Sequence, residues 1–113
     1  MEDYKFDVLF LEEAKAFLDS IDAKAREKII YNIWKARVSN DKELFKKLND
    51  EIWEFRTLYN KTYYRLFAFW DKQSRNQVLV ICTNGLIKKT SKIPKGEMEK
   101  ADKWRKSYCN KNQ

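Results

Sequence analysis

Three strand-like stretches follow one another in the second half of the chain, and this succession limits the possible folds more than any other feature. Residues 52–58 alternate apolar and polar side chains, residues 63–70 are strongly aromatic, and residues 78–83 form a nearly continuous apolar run. Alternation with a period of two indicates strands, and the continuous run fits a central, buried strand. Asn60 and Lys61 supply a hairpin turn between the first two. The pattern therefore predicts a three-stranded antiparallel meander.

The first half of the chain contains one strand-like stretch followed by helical ones. Residues 4–10 have apolar side chains at every second position, whereas residues 12–21 and 29–38 have them at helical spacing. Asp22, together with Ser20, supplies a break and a cap between two helices. This half therefore predicts a strand followed by a helical hairpin.

Two further segments have helical spacing. Leu44, Phe45 and Leu48 predict a short helical turn with lysines pointing outward. After Pro94 the apolar side chains again recur every three to four residues, which predicts a last helix with Trp104 in the core.

The order of these elements predicts an α+β fold in a single domain spanning residues 1–113. The 113 residues are near the usual size of one domain, and no stretch resembles a linker. We expect an antiparallel sheet that includes the N-terminal strand, with the helices on one face and the other face open to a ligand.

The absence of histidine excludes the commonest catalytic chemistries. No histidine is present among the 113 residues, which removes histidine-based zinc sites and the Ser-His-Asp and Cys-His arrangements. Cys82 lies in an apolar run and Cys109 in a polar tail, too few cysteines for a metal site and a poor pattern for a disulfide. No apolar stretch approaches the ~20 residues that span a bilayer. We expect a cytoplasmic protein without a membrane segment, metal or cofactor.

The positive charge of the chain is concentrated near its C-terminus. The sequence has 24 Lys and Arg against 17 Asp and Glu, a formal charge of +7, and from Lys88 onward nine basic residues face three acidic ones. An excess of this kind favours a polyanionic partner such as nucleic acid.

A candidate site arises from cations within and just after the meander strands. Arg56 and Arg65 interrupt two neighbouring apolar strands, and Lys88, Lys89 and Lys92 follow the third. Arginine binds phosphate with two parallel hydrogen bonds, and a lysine crowded by cations can act as a base or stabilise a phosphorane. RNA cleavage by its own 2′-hydroxyl group needs such groups and no metal. Taken singly, each cation is also compatible with a solvated surface residue.

The aromatic residues allow two interpretations. Phe67 and Phe69 alternate within a central strand and are expected in the core. Stacking on a nucleobase competes with ordinary packing for three residues nearer strand ends: Trp53, Tyr63 and Tyr64. Glu54 is expected either to face solvent or to pair with one of the two arginines.

Three motifs stand out in the second half of the chain: Trp-Glu-Phe-Arg at 53–56, Tyr-Arg-Leu-Phe at 64–67, and Asn-Gly-Leu-Ile-Lys-Lys-Thr-Ser-Lys-Ile-Pro at 84–94. Together they resemble the RelE/ParE superfamily of toxins, most closely its phage-derived HigB-like branch. The last motif is the specific one, and the resemblance covers nearly the whole chain. It implies a RelE-like fold, a ribosome-dependent endoribonuclease that cuts translated mRNA, and a partner antitoxin with a helix-turn-helix fold.

The resemblance also implies roles for individual residues. The catalytic set expected from it is Arg56, Arg65, Lys88 and Lys89. Together with the interpretation of the aromatic residues, it leads to an expected RNA-binding set of Lys92, Lys95, Trp53, Tyr64 and Asn84. Asn84 stands where the family usually has a histidine, and asparagine cannot titrate.

Two alternative functions remain open from the sequence. One is a ParE-like toxin that acts on DNA gyrase, with the same fold and a protein target. The other is a non-catalytic module that binds nucleic acid or protein, for which the missing histidine is the main argument.

Overall fold

The computed structural model describes residues 4–39, 41–72, 79–88 and 92–111, and it has the predicted α+β architecture. A mixed five-stranded sheet is packed against three helices. In chain order the elements are β1 (Asp7–Phe10), α1 (Glu12–Ser20), α2 (Ala23–Val38), β2 (Phe45–Lys47), β3 (Trp53–Tyr59), β4 (Thr62–Asp71), β5 (Leu79–Lys88) and α3 (Lys95–Lys111).

The sheet has the order β1-β5-β4-β3-β2, and its meander β3-β4-β5 is antiparallel as predicted. The prediction of a wholly antiparallel sheet is wrong, because β1 pairs with β5 in parallel. Strand β5 also runs on to Lys88, five residues past the predicted end. The polar connection expected at 71–76 lies mostly outside the described residues.

The short helical turn predicted around Phe45 is wrong. Phe45 begins β2, which pairs with β3, and its ring stacks on Phe55 at 4.2 Å and on Trp53 at 4.9 Å between centroids. This cross-strand aromatic packing outweighs the weak helical spacing of the segment.

The turn at Asn60 and Lys61 sets the register of the meander. Both residues have positive φ, 51° and 62°, the backbone of a type I′ hairpin. Tyr59 therefore pairs with Thr62, and the register that follows places Arg56 opposite another arginine.

The helical hairpin covers one face of the sheet. The Asp22 carboxylate accepts hydrogen bonds from the backbone N–H groups of Lys24 and Ala25, so the predicted cap is confirmed. The buried side chains shared by the hairpin and this face include Ala14, Leu18, Ala25, Ile29, Ile33, Phe55, Leu66, Ala68, Val80 and Cys82. We call this the hairpin face.

Helix α3 covers part of the opposite face, so the expectation that all helices share one face is wrong. Ala101 packs with Ile52 and Phe67, and Tyr108 contacts Phe69 at 5.5 Å between ring centroids. Trp104, expected in the core, is 36% exposed. The inward stripe of α3 is centred on Ala101 and Tyr108, which leaves Trp104 at its border. We call this side of the sheet the α3 face.

The two cysteines are expected to differ in reactivity. Cys82 is fully buried, and burial strongly raises the pKa of its thiol, whereas Cys109 is partly exposed. Because the thiolate is the reactive form, a disulfide reagent should modify one thiol per native chain rapidly and two per chain in denaturant. Cys109→Ser should abolish the rapid phase, and a rapid phase that survives this substitution would place Cys82 within reach of solvent.

Candidate functional site

The cations of the meander converge on the α3 face. Arg56 lies directly opposite Arg65 in the β3–β4 register, and Tyr63 lies opposite Lys88 in the β4–β5 register. Since residues two apart on a strand share a face, the four side chains belong to one patch spanning three strands. We call these four residues the cationic cluster.

Arg65 forms the buried floor of the cluster. Its side chain is 1% exposed, and its Nη1 donates to both carboxylate oxygens of Glu54, at 2.6 and 2.8 Å. Glu54 is fully buried. The predicted pairing of Glu54 with an arginine is confirmed, and the alternative prediction, a solvent-facing Glu54, is wrong. A carboxylate held in the interior needs a partner cation to offset the cost of desolvation.

Arg56 and Lys88 carry the more accessible charge of the cluster. Both are partly exposed, and within the described ranges no carboxylate lies within ion-pair distance of either. The guanidinium of Arg56 lies 5.9 Å from the centroid of the Tyr63 ring, and that of Arg65 lies 5.5 Å from it. The Tyr63 ring is therefore shared between the accessible arginine and the buried one.

Asn84 lies in the interior and not at the surface of the cluster. Its amide oxygen accepts a hydrogen bond from the Thr83 hydroxyl at 2.6 Å, and its amide nitrogen donates to Glu97 of α3 at 3.3 Å. Thr83 is the extra residue of a β-bulge opposite the Phe67–Ala68 bond. Asn84 thus ties β5 to the start of α3, and its role in RNA binding stays a prediction.

Trp53 and Tyr64 lie on the other side of the sheet from the cluster. Trp53 contacts Phe45 and Trp70, with the Trp70 ring centroid 5.7 Å away, and Tyr64 packs against the core of the hairpin face. The structure gives both residues a packing role and does not bring them to the cations. Phe67 and Phe69 are in the core, as predicted.

The remaining predicted residues follow β5. Lys92 is exposed in the connection to α3, and Lys95 is exposed at the first residue of that helix. Lys89 lies outside the described residues. The expected RNA contacts of these lysines stay predictions.

Part of the positive charge of α3 is compensated locally. Lys100 pairs with Glu13 of α1 at 3.3 Å, and Arg105 and Lys106 pair with Asp102 at 2.8 and 3.1 Å. Desolvation acts to raise the pKa of Asp102, but hydrogen bonds and charge from Arg105 and Lys106 outweigh it and lower that pKa. The number of basic residues in α3 therefore overstates the positive charge that is available to bind a ligand.

Sequence reasoning did not single out Thr83 or Glu97, which hold Asn84 in place. A threonine within the apolar run 78–83 is the signal that could have marked the bulge.

In the part of the chain that the structure describes, no group of three or more potential metal ligands occurs. Over the same residues, no helix has the length and apolar character needed to cross a membrane.

The mixed sheet, the helical hairpin and α3 define a small α+β domain of the RelE-like type. Residues 16–106 match the family model described as phage-derived protein Gp49-like (DUF891), and the chain belongs to that family. This family is of the RelE toxin-antitoxin type. No curated protein matches the chain.

Proposed function

We propose that the protein is the toxin of a type II toxin-antitoxin pair and a metal-independent endoribonuclease that cuts mRNA on the ribosome. The cationic cluster on the α3 face carries this proposal, because it gathers phosphate-binding groups from three strands without a compensating carboxylate at its accessible cations in the described residues. Membership in a toxin-type family supports it. The proposal includes a place in the HigB-like branch, a cytoplasmic location and a helix-turn-helix antitoxin as partner.

The chemistry requires no cofactor. In RNA the 2′-hydroxyl gives up its proton to a base or to water as its oxygen attacks the adjacent phosphorus, the bond to the 5′-oxygen of the next nucleotide breaks and that oxygen takes up a proton, and the products end in a 2′,3′-cyclic phosphate and a 5′-hydroxyl. The transition state gains negative charge on the phosphoryl oxygens, and preorganised cations stabilise it. In our proposal the planar guanidinium of Arg56 holds two of these oxygens and Lys88 supplies a further positive charge.

Arg65 acts in this scheme as a positioning residue. Its side chain is buried and bound to Glu54, and its guanidinium lies against the ring of Tyr63, which also faces Arg56. The buried arginine therefore holds the ring that sets the orientation of the accessible one. Lys89, Lys92 and Lys95 are assigned to sequence-independent phosphate contacts along the strand. The ribosome supplies the positioning of the mRNA.

Arg56→Ala and Lys88→Ala are each expected to lower mRNA cleavage by about 10²-fold, the usual cost of removing one donor from a transition-state site. The measurement is the rate at which new 5′-hydroxyl ends appear in a translating extract. Lys103→Ala is the matched control, because Lys103 is exposed on α3 and, among the described residues, has no ion-pair partner. Equal cleavage by all three variants would remove the cationic cluster from the mechanism.

A non-catalytic binding module is the second candidate, and one observation favours it. The chain has no histidine, and the buried carboxylate of Glu54 accepts both hydrogen bonds from Arg65, so the described part of the cluster holds no evident proton acceptor. Intact transcripts, normal growth and nucleic-acid binding that weakens steeply with salt would favour this module. Intact transcripts with DNA damage and an SOS response would instead favour a gyrase-directed toxin.

A further inference from the structure

A cavity of about 390 Å³ lies beside the cationic cluster, where helix α2 passes the edge of strand β3. Arg56 and Tyr63 of the cluster line it, and its other walls come from α2, from the segment before β2 and from the end of β3. Pockets that hold small ligands start at about 300 Å³, so the cavity is large enough for a nucleobase.

The cavity lies where β3 has no neighbouring strand on one side. Strand β2 pairs with β3 only as far as Phe55, and the Arg56 N–H then donates to Leu44 O at 2.9 Å. Peptide groups alternate in direction along a strand, so those of Leu58 face the same side. No described residue pairs with the Leu58 N–H or C=O there. The rim of the cavity therefore offers a ligand one backbone donor and one backbone acceptor.

One wall of the cavity is apolar and aromatic. Leu58 is 50% exposed, an unusual position for a large apolar side chain, and Leu44 is partly exposed beside it. The Tyr63 ring is also partly exposed, with the Arg56 guanidinium 5.9 Å from its centroid. A planar base stacks on surfaces of this kind, next to a cation that takes its phosphate.

The opposite wall carries hydrogen-bond acceptors. The amide nitrogen of Asn32 donates to the Thr57 hydroxyl at 3.1 Å, which leaves the amide oxygen as the group that can meet a ligand. Glu43 also lines the cavity, and no described cation lies within ion-pair distance of its carboxylate. A carboxylate repels a bare phosphate, but it accepts a hydrogen bond from the amino group of a base. This wall therefore suits a base rather than a phosphate group.

Two cations belong to the cavity, one from each side. Arg56 comes from β3, and Lys28 comes from α2, where it is exposed and has no carboxylate within ion-pair distance among the residues described. Every nucleotide inside an RNA chain has a phosphate on both sides. Two cations around a base-sized cavity match that arrangement.

We infer that the cavity receives one of the two nucleotides joined by the scissile phosphate and selects a base with an amino group, such as cytosine, against uracil. Tyr63 and Leu58 contact the face of the base, Glu43 accepts from its amino group, and Lys28 contacts the outer phosphate. The subsite adjoins the phosphate that Arg56 holds, so the inference rests on the proposed function and adds a base preference at the cut.

The test is a titration of cytidine 3′,5′-bisphosphate and of uridine 3′,5′-bisphosphate into the isotopically labelled protein. We expect saturable shifts of the Leu58 backbone amide and the Asn32 side-chain amide. Cytidine should bind about tenfold more tightly, because uracil presents an oxygen where cytosine presents its amino group, and tenfold corresponds to about 1.4 kcal/mol.

Glu43→Ala should abolish this preference by weakening the binding of the cytidine nucleotide alone. Glu43 is exposed, so the substitution leaves the core intact. Glu27→Ala is the matched control, because Glu27 is an exposed carboxylate of α2 that does not line the cavity, and it should retain the tenfold preference.

Lys28→Ala should weaken the binding of both nucleotides by the same factor and leave their ratio unchanged, as expected of a phosphate contact. Lys35→Ala is its control, because Lys35 is exposed on the same helix outside the cavity, and it should change neither affinity.

Three outcomes would overturn the inference: no saturable shift at millimolar nucleotide, equal affinity for the two nucleotides, and a preference that survives in Glu43→Ala. Mapping the cuts in a translating extract separates the inference from the proposed function. Cleavage with no bias against uracil on either side of the cut would reject the subsite and keep the endoribonuclease. A cytidine preference in the titration without any mRNA cleavage would keep the nucleotide site and reject the endoribonuclease.

Discussion

Replacing Glu54 by glutamine is expected to lower the free energy of unfolding by about 3–5 kcal/mol, the usual cost of breaking a buried ion pair from one side. Glu54 is fully buried and binds Arg65 through both carboxylate oxygens, and Arg65 is 1% exposed. The substitution keeps the shape of the side chain but leaves the guanidinium charge in the interior without its carboxylate.

Urea unfolding measures this effect: the midpoint concentrations of the wild type and the variant are compared, provided that the dependence of the free energy of unfolding on urea has the same slope in both. Glu13→Gln is the matched control, because Glu13 pairs with Lys100 at a partly exposed site, where such pairs are worth at most about 1 kcal/mol. The double variant Glu54→Leu with Arg65→Met should recover much of the loss, since an apolar pair can replace a buried ionic one. A loss below 1 kcal/mol for Glu54→Gln would show that the interior readily hydrates this pair.

Gly85→Ala is expected to destabilise the protein by about 3 kcal/mol, at the upper end of the cost of overpacking. A Cβ atom at Gly85 would lie 2.3 Å from the ring of Phe17, at ring atoms close to the root of that side chain. Helix α1 therefore approaches β5 closely because residue 85 has no side chain.

Gly96→Ala provides the control, because a Cβ there meets nothing within 4 Å. Thermal unfolding should show it neutral or stabilising by about 0.4–1 kcal/mol. Combining Gly85→Ala with Phe17→Ala should cost less than the sum of the two single changes, since the clash is removed. Strict additivity would mean that Phe17 does not make the contact that requires glycine.

Local patterns predicted the elements whose pairing is local. The turn at Asn60 and Lys61 and the alternation on both sides of it predicted the meander, and with it the proximity of Arg56 and Arg65. The parallel pairing of β1, the strand at Phe45 and the face taken by α3 depend on contacts between distant parts of the chain, and no local spacing encodes these contacts.

The sequence predicted the face of the sheet on which each candidate residue lies better than it predicted how deeply the residue is buried. Tyr64 is adjacent to Arg65, and Trp53 is three residues before Arg56, so strand alternation already places both aromatic residues on the face away from the arginines. The burial of Arg65 and Asn84 was not predictable, because it depends on α3 and on partners that are remote in sequence: Glu54 for the arginine and Glu97 for the asparagine.

The bulge at Thr83 determines on which side of the sheet the last part of β5 presents its side chains. Before it, Val80 and Cys82 point toward the helical hairpin, and an unbroken strand would turn Lys88 the same way. The additional residue reverses the alternation, so that Lys88 comes to lie opposite Tyr63. The bulge therefore brings the third strand to the cluster: closing it with Thr83 kept in the ladder would send Lys88 to the opposite side, whereas deleting Thr83 would remove the bulge and leave Lys88 opposite Tyr63.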